Sequence, residues 1–146
     1  MSASNAFETD ILEHIFQNSD IATIGDATGL RGSTAAGSLY VSLHTADPGE
    51  TGNQSTSEAS YTGYSRVAVA RNGSNWTVSG AEASNTSAVT FGQNTGTQQD
   101  FTHFGVGSES SGSTLLLYSG ALTATYECPN GNTPEFEAAA LTVTAD

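Results

Sequence analysis

Two hydrophobic periods divide the chain. In SNAFETDILEHIFQNSD (residues 4–20), Phe7, Ile11 and Ile15 form a stripe at helical spacing, with Leu12 and Phe16 beside it. Asn5 followed by Glu8 reads as a capping-box start, and Glu8, Asp10 and Glu13 lie near the helix N-terminus, where the dipole favours acids. A helix of about three turns is not stable alone in water, so the stripe must dock on something. GDATGLRGSTAAG (Gly25 to Gly37), with four glycines among small residues, reads as a flexible linker.

From Ser38 the period becomes two. SLYVSLHT places Leu39, Val41 and Leu43 on one face and Tyr40, Ser42 and His44 on the other, as a half-buried strand requires. YSRVAVAR (Tyr64 to Arg71) and NWTVS (Asn75 to Ser79) follow as strands, with Asn72-Gly73 between them as a type I′ hairpin signal. SAVTF, DFTHFGVG, TLLLYSG, LTATYE and a closing EFEAAALTVT (135–144) succeed one another across Gly- and Ser-rich turns. The spacing predicts an all-β fold: a two-sheet antiparallel sandwich or jelly roll of about eight strands with a short N-terminal α-helical arm. The expected organisation is a helical arm at 1–24, a Gly-rich linker at 25–37 and a β-sandwich domain at 38–146. Core candidates are Leu39, Val41, Leu43, Val67, Val69, Val89, Phe91, Phe104, Val106, Leu115, Leu117, Leu141 and Val143.

Charge narrows the partners. Fifteen Asp and Glu face three Arg (Arg31, Arg66, Arg71) and no Lys, for a formal net charge of −12. Nucleic-acid and anionic membrane surfaces are bound by clustered cations, so neither is an expected partner. No signal-like or membrane-length apolar run is present, which leads to the expectation of a soluble protein made in the host cytoplasm. The N-x-S/T patterns at Asn53, Asn72, Asn75 and Asn85 are then accidents of composition. Cys128 is the lone cysteine and is expected to be an inert thiol.

Candidate chemistry is sparse. LHTADPGETG (Leu43 to Gly52) gathers His44, Asp47 and Glu50, but Asp47-Pro48-Gly49 is turn chemistry, and the acids do not alternate as a calcium loop demands. His14, His44 and His103 lie apart without metal-ligand spacing. GVGSES at Gly105 lacks the third glycine and following helix of a dinucleotide fingerprint and reads as a turn. No G-x-S-x-G elbow or activated thiol occurs. The expectation is therefore no enzyme, no catalytic residue, no metal and no cofactor.

NAFETDILEHIF, LYVSLHTADPGETG, SYTGYSRVAVAR, FTHFGVG and LLLYSGAL…NTPEFEAAALTVT together resemble a family of small tailed-bacteriophage virion proteins over nearly the whole chain. The resemblance implies a β-sandwich capsid decoration or cement protein, although similar sequences often carry the label of tail fibre protein. On that reading the chain is a virion protein of the capsid exterior. Its partners are the major capsid protein and further copies of itself, and the helix stripe of Phe7, Ile11 and Ile15 is the candidate docking element. A tail or receptor-binding role is the alternative, for which Tyr61, Tyr64 and Trp76 would form an exposed aromatic patch for a glycan.

The charge excess generates a direct expectation. Because uncompensated negative charges repel within the folded state, raising ionic strength from about 0.01 M to about 0.15 M shortens the screening length from roughly 30 Å to roughly 8 Å. The melting temperature should therefore rise across that series, as followed by circular dichroism.

Overall fold

The computed structural model describes residues 3–22, 24–26 and 28–145; Ala27 of the expected linker lies outside them. The described residues form one helix and nine strands: α1 (Asn5–Gln17), β1 (Ser38–His44), β2 (Val67–Ala70), β3 (Trp76–Ser79), β4 (Glu82–Asn85), β5 (Val89–Thr90), β6 (Gln99–Gly107), β7 (Leu116–Cys128), β8 (Glu135–Phe136) and β9 (Thr142–Thr144). The sheets run β2-β1-β6-β7, β3-β4-β9 and β5-β8. The all-β expectation with an N-terminal helix is met. The chain gathers into two compact units, one of residues 1–38, 70–88 and 137–146, the other of residues 39–69 and 89–136.

In the first unit, α1 is capped by Ser4 rather than Asn5: the Ser4 hydroxyl accepts from the Phe7 N–H at 3.4 Å. The helix closes on Asn18 in the left-handed conformation, φ 59°. Its buried residues are Leu12 and Phe16, and Phe16 meets the fully buried Trp76 edge-on at 4.7 Å between ring centroids. Arg71 fixes the helix end by donating to the carbonyls of His14 (2.7 Å) and Ile15 (2.5 Å), the site where the dipole and unsatisfied carbonyls favour a cation. Its other nitrogen reaches the Ala36 carbonyl at 3.2 Å.

The hairpin of this unit is not at Asn72-Gly73. β2 belongs to a sheet with β1 while β3 pairs with β4, so no β2–β3 ladder exists to be closed. The Asn72 side chain instead accepts from the N–H groups of Ser74 and Asn75, the local turn that Asn offers as an alternative to a ladder. The true hairpin joins β3 to β4, with Ser79 opposite Glu82 and Gly80 at φ 60° as the first of two loop residues. β4 escaped sequence reading because EASN carries no β-branched or aromatic residue. The closing segment splits into β8 and β9 around buried Asn85, which donates to the Glu137 carbonyl (2.8 Å) and accepts from the Leu141 N–H (2.9 Å).

In the second unit, β1 pairs antiparallel with β6, Tyr40 opposite Gly107 through His44 opposite His103. Both faces of β1 are buried from Val41 to His44, so Ser42 and His44 are interior and not on a solvent face. TLLLYSG and LTATYE are one strand, β7, with register offsets against β6 where two strands were expected. The β5-β8 ribbon completes a sandwich through aromatics: Phe136 meets Phe91 at 6.2 Å and Phe104 at 6.0 Å, and Phe91 stacks on Tyr64 at 6.1 Å. Leu115 is 64% exposed and Val67, Phe104 and Leu117 are only partly buried, contrary to their place among the core candidates. Phe101, Tyr61 and Cys128 are buried there instead.

Trp76 also carries a buried indole N–H without an acceptor among the described residues, a cost of about 1–3 kcal/mol that burial of the ring must outweigh. Replacing Trp76 with Ala should destabilise the protein by about 3–5 kcal/mol. Urea denaturation with matched m-values checks it.

Candidate functional site

The densest polar constellation lies in the second unit and consists of residues from short, turn-rich segments. Arg66 is 7% exposed and grips Glu58 with two bonds, Nε to Oε1 at 2.6 Å and an Nη to Oε2 at 2.7 Å. Its remaining donors reach the carbonyls of Glu109 (3.0 Å) and Gly112 (2.8 Å). The Tyr64 hydroxyl donates to Glu58 Oε1 at 2.9 Å and accepts from the Leu43 N–H at 3.3 Å. The Glu58 carboxylate raises the Arg66 pKa further, and burial, with Glu58 beside it, holds the Tyr64 phenol protonated far above its ordinary range. Gln54, fully buried, accepts from the Thr114 hydroxyl (2.6 Å) and the Glu109 N–H (3.1 Å). Its Cδ would lie 2.0 Å from a side chain at Gly107, so glycine there admits the amide. These bonds tie the connections around residues 54–58 and 109–114 to the sheet.

A second arrangement has the look of chemistry. Ser42 Oγ lies 2.8 Å from His44 Nε2, and His44 Nδ1 lies 2.8 Å from the Thr56 carbonyl. The carbonyl can only accept, so Nδ1 carries the proton and Nε2 accepts from the serine. A serine poised on a neutral, oriented imidazole is the beginning of a nucleophile, but both residues are 0% exposed. No substrate carbonyl can reach Ser42 Oγ, and the pair serves as internal structure. Burial also lowers the His44 pKa against the opposing pull of the Thr56 hydrogen bond and of Glu58.

The Asp47-Pro48-Gly49 turn is as expected: Asp47 Oδ1 accepts from the Gly49 N–H at 2.9 Å. Gly105 and Gly107 of GVGSES belong to β6 and are buried, so they do not form a turn. The aromatic patch is not there: Trp76 is 0% and Tyr61 6% exposed, and Tyr64 is engaged in the Glu58 cluster. Burial pushes the Tyr61 phenol up to about 12. Cys128 is free and buried, with its thiol pKa raised by burial. Among the described residues, no three His, Cys, Asp or Glu are placed to hold a metal, and no helix is long and apolar enough to cross a membrane.

The helix stripe divides. Leu12 and Phe16 face the unit's interior, Ile11 and Ile15 are half-buried, and Phe7 is 42% exposed. The three named docking residues therefore include one that reaches solvent substantially. The Glu58–Arg66 cluster and the Gln54 linkage were not anticipated, because their members are separated by up to sixty residues and carry no local motif. The only sequence hint was an arginine inside an apolar strand pattern.

Two outcomes test the interior chemistry. Glu58→Gln leaves the Arg66 charge without its counter-ion and should cost about 3–5 kcal/mol in urea denaturation. For His44, the folded-state pKa lies below that of the unfolded chain, so its contribution to stability is complete above about pH 6.5 and is lost as pH falls below that value. The stability gap between the native protein and His44→Gln should narrow from pH 7.5 to pH 5, roughly the range where histidine titrates. The difference cancels the acid titrations common to both proteins.

No curated protein matches the chain. A family model described as podophage GP4 fiber I protein gp80 matches residues 2–144. With that span covered, the chain belongs to the podophage GP4 fiber I protein gp80 family and is a structural protein of a tailed-phage virion.

Proposed function

We propose that this chain is a non-enzymatic building block of the virion exterior and acts through protein–protein contact. The family match carries this reading, and the interior placement of Ser42, His44, Tyr64 and Arg66 supports it, since the groups best suited to chemistry are used in holding loops. One reading is a place in a fibre, the word the family's description carries. A fibre would be assembled from many copies of this small subunit, whose 146 residues fold into two compact units. Decoration of the head as a cement protein bridging major capsid subunits is the second reading, favoured by the same small size and by an acidic surface better suited to the outside of the shell than to packaged DNA. Both readings take further copies of the chain as neighbours. Phe7, with Ile11 and Ile15 beneath it, is the apolar anchor we assign to attachment.

Cryo-electron reconstruction of virions with and without this chain separates the readings. The fibre reading expects the missing density in a projection, and the cement reading expects it across the head lattice. Absence from purified particles would overturn both. Phe7→Glu should reduce occupancy on the particle with little change in melting temperature, because Phe7 is not in the core.

A further inference from the structure

Enzymes that cut after basic residues have three possible sites in this chain, which holds Arg31, Arg66 and Arg71 and no Lys. Such an endoprotease takes the guanidinium into an acidic pocket, and it needs the flanking backbone in an exposed segment that can be drawn out. The fold offers the three arginines very differently. Arg66 is 7% exposed, holds Glu58 through two bonds and reaches the carbonyls of Glu109 and Gly112. Arg71 reaches the carbonyls of His14, Ile15 and Ala36, while its N–H donates to the Gly37 carbonyl at 3.1 Å. Presenting either one to a protease would take apart the interior of its unit. The Arg31 side chain is 67% exposed, in the irregular connection between α1 and β1.

The Arg31–Gly32 bond is held by contacts at the surface. Arg31 Nε lies 3.3 Å from Asp20 Oδ2, and the Gly32 N–H donates to Asp20 Oδ1 at 2.7 Å. The Asn18 side chain accepts from the Ser33 N–H at 2.7 Å and donates to the Ser33 carbonyl at 2.8 Å. A Cβ at Gly32 would lie 2.2 Å from the Asn18 carbonyl oxygen, so the backbone must lift away from Asn18 and Asp20 to enter an active site. Lifting it costs little. Arg31, Gly32, Ser33, Thr34, Ala35, Ala36 and Gly37 are all exposed or half-buried, so the movement exchanges accessible hydrogen bonds for bonds to water and uncovers no core side chain. Segments of this kind open locally, far below the cost of global unfolding.

A cut there leaves the seating of α1 untouched. Leu12 and Phe16 stay in the interior with Phe16 against Trp76, Thr9 Oγ1 donates to the Gly80 carbonyl at 2.9 Å, and Gln17 Nε2 donates to the Trp76 carbonyl at 3.1 Å. Arg71 still closes the helix end. The paired Ile21 and Leu30 both lie on the N-terminal side of the bond. We propose that Arg31–Gly32 is a processing site for endoproteases directed at arginine, and that its hydrolysis leaves the helix in place. Water adds across the peptide bond, its hydroxyl going to the Arg31 carbonyl carbon and its proton to the Gly32 nitrogen, giving fragments 1–31 and 32–146. For a virion subunit, this confines such cleavage to one connection and spares the second unit entirely.

The test is limited digestion of the full chain with trypsin, read by intact-mass spectrometry and by size-exclusion chromatography. The expected result is a single early cut after Arg31, with both fragments eluting together at the volume of the uncut protein and separating in urea. Arg31→Gln should stay whole over the period that nicks the native chain, at an unchanged melting temperature. The thermally unfolded chain should be cut at all three arginines, which assigns the selectivity to the fold. A first cut at Arg66 or Arg71 in the folded protein would overturn the proposal. So would an Arg31 that resists while the unfolded chain is fully digested, or a fragment 1–31 that elutes apart from the rest without urea. Digestion of the isolated chain is independent of virion placement, so absence of the chain from particles would fail the functional reading without altering this result.

Discussion

The second unit depends on one buried ion pair. A sandwich with strands as short as β5 and β8 has little ladder to hold its connections, and the turn-rich segments around residues 54–58 and 109–114 would otherwise be free to move. Arg66, paired through two bonds to Glu58, reaches the carbonyls of Glu109 and Gly112 and so fastens both segments at once. Such a pair adds little net energy over an apolar substitute, because desolvation offsets its attraction. What it provides here is placement: the Glu58 carboxylate and the carbonyls of Glu109 and Gly112, some fifty residues on, are brought to one guanidinium.

Arg71 performs the matching task in the first unit by closing the last turn of α1 and reaching the Ala36 carbonyl. With Arg31 on Asp20, every arginine in the chain is committed to the chain's own partners. The protein therefore presents an acidic exterior whose charge is not self-complementary. Neighbours that meet it closely must bring cations, bury apolar surface, or rely on main-chain pairing that ignores side-chain charge.

Much of this fold was legible because period reports burial. The alternation of Leu39, Val41 and Leu43, the helical spacing of Leu12 and Phe16, and the Asp47 turn all follow from local rules. What was not legible depended on distant partners. Asn72-Gly73 has hairpin chemistry, but strand exchange between sheets left no ladder for it to close. EASN lacks strand propensity and is a strand because β3 and β9 flank it. Ser42 and His44 alternate as an exposed face would, yet Thr56 and Gly105 cover them. Tyr61, Tyr64 and Trp76 offered the composition of a binding patch and are interior, since large rings are also the best core fillers. The continuity of β7 was hidden behind an apparent turn at Gly120, and only the register reveals one long strand.

The central claim is that the polar links around Arg66 hold the turn-rich segments of the second unit in place. Hydrogen–deuterium exchange of the isolated protein and of the protein on virions tests it most directly. The account predicts slow exchange around residues 54–58 and 109–114 in both states. Fast exchange of those segments in the isolated protein would contradict it.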